Sequence, residues 1–127
     1  MKTITKQTVL SEHLNRHGSL FGGQMMAWMD LAAAICANEI MNMNSVTIAV
    51  DRIEFLKAVY LGDVVTFEVE EKTRGRTSLT LHVAVYKSNV DEKMVEVARS
   101  NFKFVAIGDN GRPSNEWNDR LHVRALP

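Results

Sequence analysis

Residues 18–41, which read GSLFGGQMMAWMDLAAAICANEIM, predict a long helix that follows a glycine-rich turn. From Gln24 to about Met41 the chain contains good helix formers and neither glycine nor proline, enough for about five helical turns. Apolar residues occupy nearly all sides of this helix: one stripe holds Met26, Ala27, Leu31 and Ala34, and the opposite side holds Met25, Trp28, Met29, Ala32 and Cys36. A helix that is apolar on every side is expected to be wrapped by protein.

The rest of the chain predicts strands, because apolar and polar residues alternate along it. Such runs lie at residues 3–9, 46–55, 65–69, 79–85 and 95–106, with breaks in the alternation at 51–52 and 98–101 that predict β-bulges. We therefore predict one α+β domain over residues 1–127, with an antiparallel sheet of about five strands curled around the helix. One sheet cannot enclose a helix that is apolar all round, so we expect a dimer.

The composition argues against several classes of protein. The 15 basic and 15 acidic side chains cancel, which is not the basic excess of a nucleic-acid-binding protein. The single cysteine, Cys36, cannot form an internal disulfide, and no apolar signal segment follows Met1. Residues 25–36 form the most apolar stretch, but Asp30 interrupts it and it is too short to span a bilayer. We expect a cytoplasmic protein with no membrane insertion.

Asp30 is the first candidate for chemistry, because it is a carboxylate among apolar helix neighbours. Carboxylates in such surroundings serve as catalytic acids and bases, but a structural acid paired with an Arg or Lys is an open alternative. The helix start is the second candidate. Gly22 and Gly23 leave the first N–H groups of the helix accessible, where a phosphate or a developing oxyanion can bind. A tight turn that merely needs glycine is the alternative there.

Spacing along the helix separates these two candidates. The eight residues from Gly22 to Asp30 correspond to about 12 Å at about 1.5 Å per residue. A catalytic base and an oxyanion site must both lie about 3 Å from one reacting group. If both are catalytic, Asp30 of one subunit must therefore work with Gly22 of another.

Weaker signals come from polar side chains in loops. Asn15 could hold a carbonyl group or a water molecule, or it could cap a turn. Residues 74–78, RGRTS, place two guanidinium groups and two hydroxyls at a turn, which suits phosphates but equally suits a solvated hairpin tip. His13, His17 and His82 are dispersed and do not form a zinc-site pattern with the one cysteine.

Several of these segments together resemble a known family. Residues 15–30, NRHGSLFGGQMMAWMD, resemble the signature of the hotdog-fold acyl-CoA thioesterases, which has an Asn, a Gly three residues later, a Gly-Gly pair and an acid seven residues after that pair. Further segments match in order: VDRIEFLK at 50–57, GDVV at 62–65, GRTS at 75–78, FVA at 104–106 and GRP at 111–113. The resemblance covers about residues 8–113. Two departures are Ala58, where the family often has proline, and residues 11–14, SEHL, which replace the usual Pro-x-Asp-Thr.

The resemblance implies a sheet wrapped around a central helix, paired into homodimers that assemble further into a trimer of dimers. It implies hydrolysis of acyl-CoA to a free acid and CoA, with no cofactor beyond the CoA of the substrate and no metal. Asp30 would act as general base or nucleophile, Asn15 would position the water or the thioester, and Gly22, with Gly23, would supply oxyanion N–H groups from the partner subunit. The expected contacts to the CoA phosphates are Lys57, Arg74, Gly75, Arg76, Thr77 and Ser78.

Two other functions remain to be weighed on the same fold. Hydratases that act on acyl thioesters usually pair a His with the acid on the central helix, and this helix contains no His. A non-catalytic acyl-CoA sensor would keep the pocket and lack the acid, whereas this helix carries Asp30. Both observations favour the thioesterase.

Overall fold

The structure, a computed structural model, describes residues 2–118 and contains one long helix and six strands. The elements are β1 (Lys2–Thr8), α1 (Gly22–Met41), β2 (Ser45–Val50), β3 (Glu54–Phe55), β4 (Val64–Arg74), β5 (Ser78–Ser88) and β6 (Val95–Ala106), with a short 3₁₀ turn at Ser11–His13. The predicted domain of residues 1–127 also includes Met1 and residues 119–127, which lie outside the described residues.

All strand pairs in the sheet are antiparallel, in the order β1-β4-β5-β6-β2, and the two-residue β3 pairs with β6 beyond the end of β2. The predicted α+β architecture is confirmed. The predicted run over residues 46–55 is not one strand, however: it separates into β2 and β3, which makes six strands rather than five.

The bulges also lie elsewhere than the sequence suggested. The shift in the β2–β6 register falls at Ile48, whereas residues 51–53 belong to no strand, although the Asp51 N–H still bonds the Asn101 carbonyl of β6 at 2.9 Å. In β6 the shift falls at Val97, just before the predicted positions 98–101. A break in alternation along one strand does not say which residue of the partner strand stays paired, so sequence alone misplaces a bulge by a residue or more.

One side of α1 packs on the concave face of the sheet. Its fully covered residues are Met25, Trp28, Met29, Ala32, Ala33, Cys36, Ala37 and Met41. The Trp28 ring meets Phe67 of β4 edge-on, with 6.2 Å between ring centroids. The helix ends at Asn42, whose left-handed backbone (φ 52°) terminates the helical bonding. No helix among residues 2–118 has the length and apolarity needed to cross a membrane.

The opposite side of α1 is not covered by the rest of residues 2–118, and the sequence leads us to expect that one sheet cannot enclose this helix. Met26, Leu31 and Ile35 are exposed there, Leu31 by 53%. Three apolar residues of the edge strand β2 are exposed as well, namely Val46, Ile48 and Val50. Exposed apolar side chains on an edge strand and on a helix are typical of surfaces that another chain covers.

Candidate active site

The start of α1 presents unbonded backbone donors. The helix begins at Gly22, two residues before the predicted Gln24, and Phe21 is its extended N-cap residue. The first intrahelical bonds run from the N–H groups of Gln24 and Met25 to the Phe21 carbonyl, at 3.0 and 3.1 Å. Within residues 2–118, the N–H groups of Gly22 and Gly23 donate to no protein acceptor. Such donors, at the positive end of the helix dipole, suit an oxyanion.

A side chain would meet different surroundings at Gly22 and at Gly23. A Cβ on Gly23 would lie 2.6 Å from Cε2 of the Phe21 ring, so a side chain there would displace the ring. A Cβ on Gly22 would meet only Phe55 Cζ, at an ordinary 3.8 Å. Neither glycine has a positive φ, so neither position requires glycine for a tight turn; a side chain at 23 would require the exposed Phe21 ring to shift, and one at 22 would make only an ordinary contact.

Gly22 opens onto a depression of about 370 Å³ between the helix start and the segment that follows β3. Its lining consists of Leu20, Gly22, Met25, Phe55, Leu56, Lys57, Ala58 and Val59. Apart from Lys57 the side chains are apolar, so this depression suits an uncharged chain with a charged group at its mouth.

Asp30 opens onto a different depression, of about 330 Å³. That depression is lined by Gly23, Met26, Ala27, Asp30, Thr47, Val50, Ile53 and Phe102. The carboxylate of Asp30 is half-buried, and its Oδ1 accepts a hydrogen bond of 2.7 Å from the Thr47 hydroxyl. No Arg or Lys among the described residues forms an ion pair with Asp30. Within residues 2–118, Asp30 is therefore not the structural ion-pair partner that was the alternative to a catalytic acid.

Thr47 is the residue that the sequence reasoning missed. It belongs to β2 and faces α1, while its neighbours Val46 and Ile48 are exposed. The signal was present as a polar β-branched residue between the apolar Val46 and Ile48. This signal did not identify Thr47 as a site residue. Alternation does not reveal which face of an edge strand is turned toward the helix when its apolar face is covered by another chain.

Asn15 is engaged in its own loop. Its Oδ1 accepts from the N–H groups of His17 and Ser19, at 2.8 and 3.2 Å, and its Nδ2 donates to the Ser19 hydroxyl at 3.0 Å. Gly18 completes the turn with a positive φ of 86°. The predicted capping role is therefore present, and within residues 2–118 one N–H of the Asn15 amide has no acceptor and could bind a ligand.

The residues predicted to bind CoA lie at two ends of the molecule. Lys57 lines the depression at the helix start, and the neighbouring Ala58 carbonyl bonds Lys87 near the end of β5. Residues 74–78 run from the last residue of β4 through the turn to the first residue of β5. The part of β5 from Ser78 to Lys87 spans about 30 Å in an extended strand. One protomer therefore does not bring Lys57 and residues 74–78 together.

Within residues 74–78 the side chains differ in availability. Arg74 forms a bidentate ion pair with Glu71 and lies over the Trp117 ring, 5.2 Å from its centroid. Hydrogen bonding to Arg74 lowers the pKa of Glu71. Gly75 donates its N–H to the Ser78 carbonyl. Arg76 and Thr77 instead line a polar depression of about 450 Å³ with residues 108–110 and 113–116, so Arg76 is the more available cation for an external phosphate.

His13 and His82 each have a partner within the protomer. His13 Nδ1 accepts the Leu10 N–H at 2.9 Å, and its ring meets Trp28 edge-on. His82 Nδ1 lies 2.9 Å from Asn101 Oδ1 on the outer face of the sheet. Among residues 2–118 no three His, Cys, Asp or Glu side chains converge on a position that could hold a metal ion.

Comparison with known proteins identifies the family. Residues 17–94 match the model of the thioesterase superfamily. The acyl-CoA thioester hydrolase YciA of Escherichia coli is 33% identical over 114 residues, 87% of this chain and 86% of that protein. A hexameric thioesterase from Yersinia pestis is 33% identical with a TM-score of 0.81, covering 86% of this chain and 89% of that one.

A third relative bears on the site. An acyl-CoA hydrolase from Staphylococcus aureus, solved with butyryl coenzyme A, is 26% identical with a TM-score of 0.84, covering 98% of this chain and 88% of that one. Solved variants of the Staphylococcus aureus hydrolase replace an asparagine, an aspartate and a threonine by alanine, at successive intervals of 15 and 17 residues. Asn15, Asp30 and Thr47 stand at the same intervals. The chain belongs to the thioesterase superfamily, within its hotdog-fold acyl-CoA thioesterases.

Proposed function

We propose that this protein hydrolyses acyl-CoA to a free carboxylic acid and CoA. The observation that carries the proposal is the Asp30 carboxylate, half-buried in a mainly apolar depression and held by the Thr47 hydroxyl. Support also comes from the relatives, which include an acyl-CoA thioester hydrolase and an acyl-CoA hydrolase solved with butyryl coenzyme A.

The proposed reaction divides its steps among four residues. In the general-base form, Asp30 takes a proton from water while the water oxygen attacks the thioester carbonyl carbon. Gly22, with Gly23, donates N–H groups to the developing oxyanion. The C–S bond then breaks, and the CoA sulfur leaves and takes up the proton. In the nucleophile form, Asp30 attacks the carbonyl carbon, the C–S bond breaks and the CoA thiolate leaves, and water then hydrolyses the resulting anhydride, which frees the acid and regenerates Asp30. Asn15 would position the water or the thioester with its remaining N–H.

We propose that each site is shared between two subunits. Gly22 and Asp30 open onto different depressions, and the about 12 Å between them along one helix is too far for a single reacting carbonyl. The separation of Lys57 from residues 74–78 supports the same idea, because one CoA would be held by Lys57 of one protomer and by Arg74, Gly75, Arg76, Thr77 and Ser78 of another.

The proposed assembly is a homodimer, and three such dimers form a hexamer. The exposed apolar residues on α1 and β2 support it, and the relatives include a hexameric thioesterase. We also propose that residues 1–127 form one domain. A cytoplasmic location is in keeping with the free thiol of Cys36.

The proposed hydrolysis needs no metal or cofactor, because a carboxylate and backbone N–H groups suffice for a thioester, whose thiolate is a good leaving group. Dialysis against a chelator is expected to leave the rate of thiol release unchanged. A loss of rate that Mg²⁺ or Zn²⁺ restores would contradict this part of the proposal.

The experiment that tests the function is thiol release from a panel of acyl-CoAs, from short to long chains and including branched and aromatic groups. The proposal expects release of one CoA per acid formed for at least one class. A hydratase would instead remove the double bond of an enoyl-CoA without releasing thiol. A sensor would bind acyl-CoA in a calorimeter and release nothing, and either of these results would overturn the thioesterase proposal.

A further inference from the structure

Lys87 is a buried cation outside the candidate site. It lies near the end of β5 and is only 6% exposed. Its ammonium group donates to the Ala58 carbonyl at 3.1 Å, pairs with Glu92 at 3.3 Å and lies 5.6 Å from the centroid of the Tyr60 ring. A lysine is seldom buried unless its donors have partners. Here two of the three partners, Ala58 and Tyr60, belong to the segment between β3 and β4.

That segment, residues 56–60, forms one wall of the depression that faces Gly22. We call it the wall segment. It is tied at separate points along the backbone. The Leu56 N–H bonds the Val97 carbonyl at 2.7 Å, and the Val59 carbonyl accepts the Leu20 N–H at 2.7 Å. The Ala58 carbonyl, between these two ties, accepts the Lys87 ammonium.

The residue at position 58 makes this third tie important. Ala58 is exposed and its side chain is too small to anchor the chain by packing. Alanine also lacks the ring that would fix φ, so the backbone between Leu56 and Val59 depends on hydrogen bonds for its conformation. A charged donor forms a stronger bond to a carbonyl than a neutral one does.

We propose that Lys87 is a positioning residue, which holds the wall segment away from Gly22 so that the depression stays open for the acyl-thioester arm of the substrate. The assignment of the occupant rests on the proposed function. Lys87 does not line the depression, so it acts through Ala58 and not by touching substrate.

Kinetics separate this role from a merely structural one. In Lys87→Met, which keeps a straight apolar stem and removes the donor, we expect KM for the best acyl-CoA to rise about 10-fold, in line with loss of one charge-assisted bond. We expect kcat to change by less than about 2-fold, because Asp30 opens onto the other depression. Lys87→Arg, which keeps a charged donor, is expected to have a KM close to that of the wild type.

A matched control lies nearby. Lys93 is an exposed lysine in the turn between β5 and β6, and Lys93→Met makes the same chemical change without touching the wall segment. It is expected to leave KM and kcat unchanged. A lysine that only stabilised the fold would lower the melting temperature when replaced, with no change in KM at a temperature where the variant is folded.

Amide hydrogen exchange tests the positioning itself, without any activity measurement. The peptide covering residues 54–61 is expected to exchange faster in Lys87→Met than in the wild type. In Lys93→Met it is expected to exchange at the wild-type rate, and in Lys87→Arg at close to the wild-type rate. If Lys87→Met does not fold, the double variant Lys87→Met/Glu92→Leu removes the carboxylate left without a partner and allows the same comparison.

The outcomes distinguish the two proposals. If the wild type releases thiol and Lys87→Met shows neither faster exchange nor a higher KM, the role of Lys87 is overturned. If the wild type hydrolyses no acyl-CoA, the proposed function fails, and exchange together with CoA affinity by calorimetry still decides whether Lys87 positions the wall segment. Faster exchange with an unchanged CoA affinity and KM would also overturn the role. The position of the wall segment would then have no effect on ligand binding.

Discussion

At the scale of single residues, Asp30 could be predicted from the sequence and Thr47 could not. Asp30 interrupts an apolar helix, which is unusual enough to be noticed without a structure. Thr47 is one of several threonines in strands, and only its position against α1, 2.7 Å from the Asp30 carboxylate, gives it a role. The proposed role is to hold the carboxylate in one orientation.

The Thr47→Val variant tests that role. Valine keeps the shape of threonine and removes the hydroxyl, so we expect kcat to fall about 10-fold, the size of one hydrogen bond to a charged group. Thr47→Ser keeps the hydroxyl and is expected to retain most of the activity. Steady-state kinetics on both variants make the comparison, and equal activity in Thr47→Val and the wild type would show that the hydroxyl is not needed.

Cys36 gives a second prediction at this scale. It is buried against the sheet, and burial raises the pKa of its thiol, so the thiol stays protonated and inaccessible at neutral pH. We expect no reaction with a disulfide reagent in the native protein and reaction of one thiol per chain in denaturant. Rapid labelling of the native protein would contradict this and would also require a correction to thiol-release assays.

At the scale of elements, the helix and the long strands could be predicted, and the edge of the sheet could not. The alternation of β5 reflects contacts within the chain, and α1 is long and free of proline, so both were recognised although one side of α1 is exposed in the protomer. β2 and β3 lie at an edge, where Val46 and Ile48 are exposed, and their pattern reflects a surface that the protomer alone does not cover. The start of α1 was misplaced by two residues because glycine is a poor helix former, yet Gly22 and Gly23 are helical.

The turn between β4 and β5 carries the prediction for CoA binding. Arg76 is exposed there and lines a polar depression, while Arg74 is already paired with Glu71. We expect Arg76→Ala to raise KM for acyl-CoA several-fold, because a guanidinium contact to phosphate is lost. For a truncated pantetheine thioester without those phosphates, KM is expected to stay the same. Equal effects on both substrates would exclude Arg76 from phosphate binding.

At the scale of the whole molecule, the proposed mechanism needs a second copy, because Gly22 and Asp30 of one protomer open onto different depressions. The sequence suggested this from the all-round apolar helix and from the spacing of Gly22 and Asp30. The protomer structure explains why the sequence could go no further: the arrangement of copies depends on the shapes of the surfaces around Leu31 and β2, which no pattern along one chain encodes.

A charge placed on the uncovered side of α1 tests the proposed assembly. Leu31→Asp is expected to reduce the mass in solution from six times the 14.3 kDa chain mass and to abolish most thiol release, because an unpaired carboxylate would be buried between copies. Val90→Asp is the control, since Val90 is 96% exposed in the turn between β5 and β6. Light scattering after size exclusion gives the mass, and an unchanged mass for a folded Leu31→Asp would place the interface elsewhere.

The central claim is that Asp30 carries out the hydrolysis of acyl-CoA. The most direct measurement is kcat/KM for the best acyl-CoA in the wild type, in Asp30→Asn and in Glu39→Gln, a control that neutralises another carboxylate of α1. The expected result is a loss of about 100-fold or more in Asp30→Asn, with CoA binding and mass retained, and a change of less than about 2-fold in Glu39→Gln. Hydrolysis by Asp30→Asn at the wild-type rate would contradict the claim.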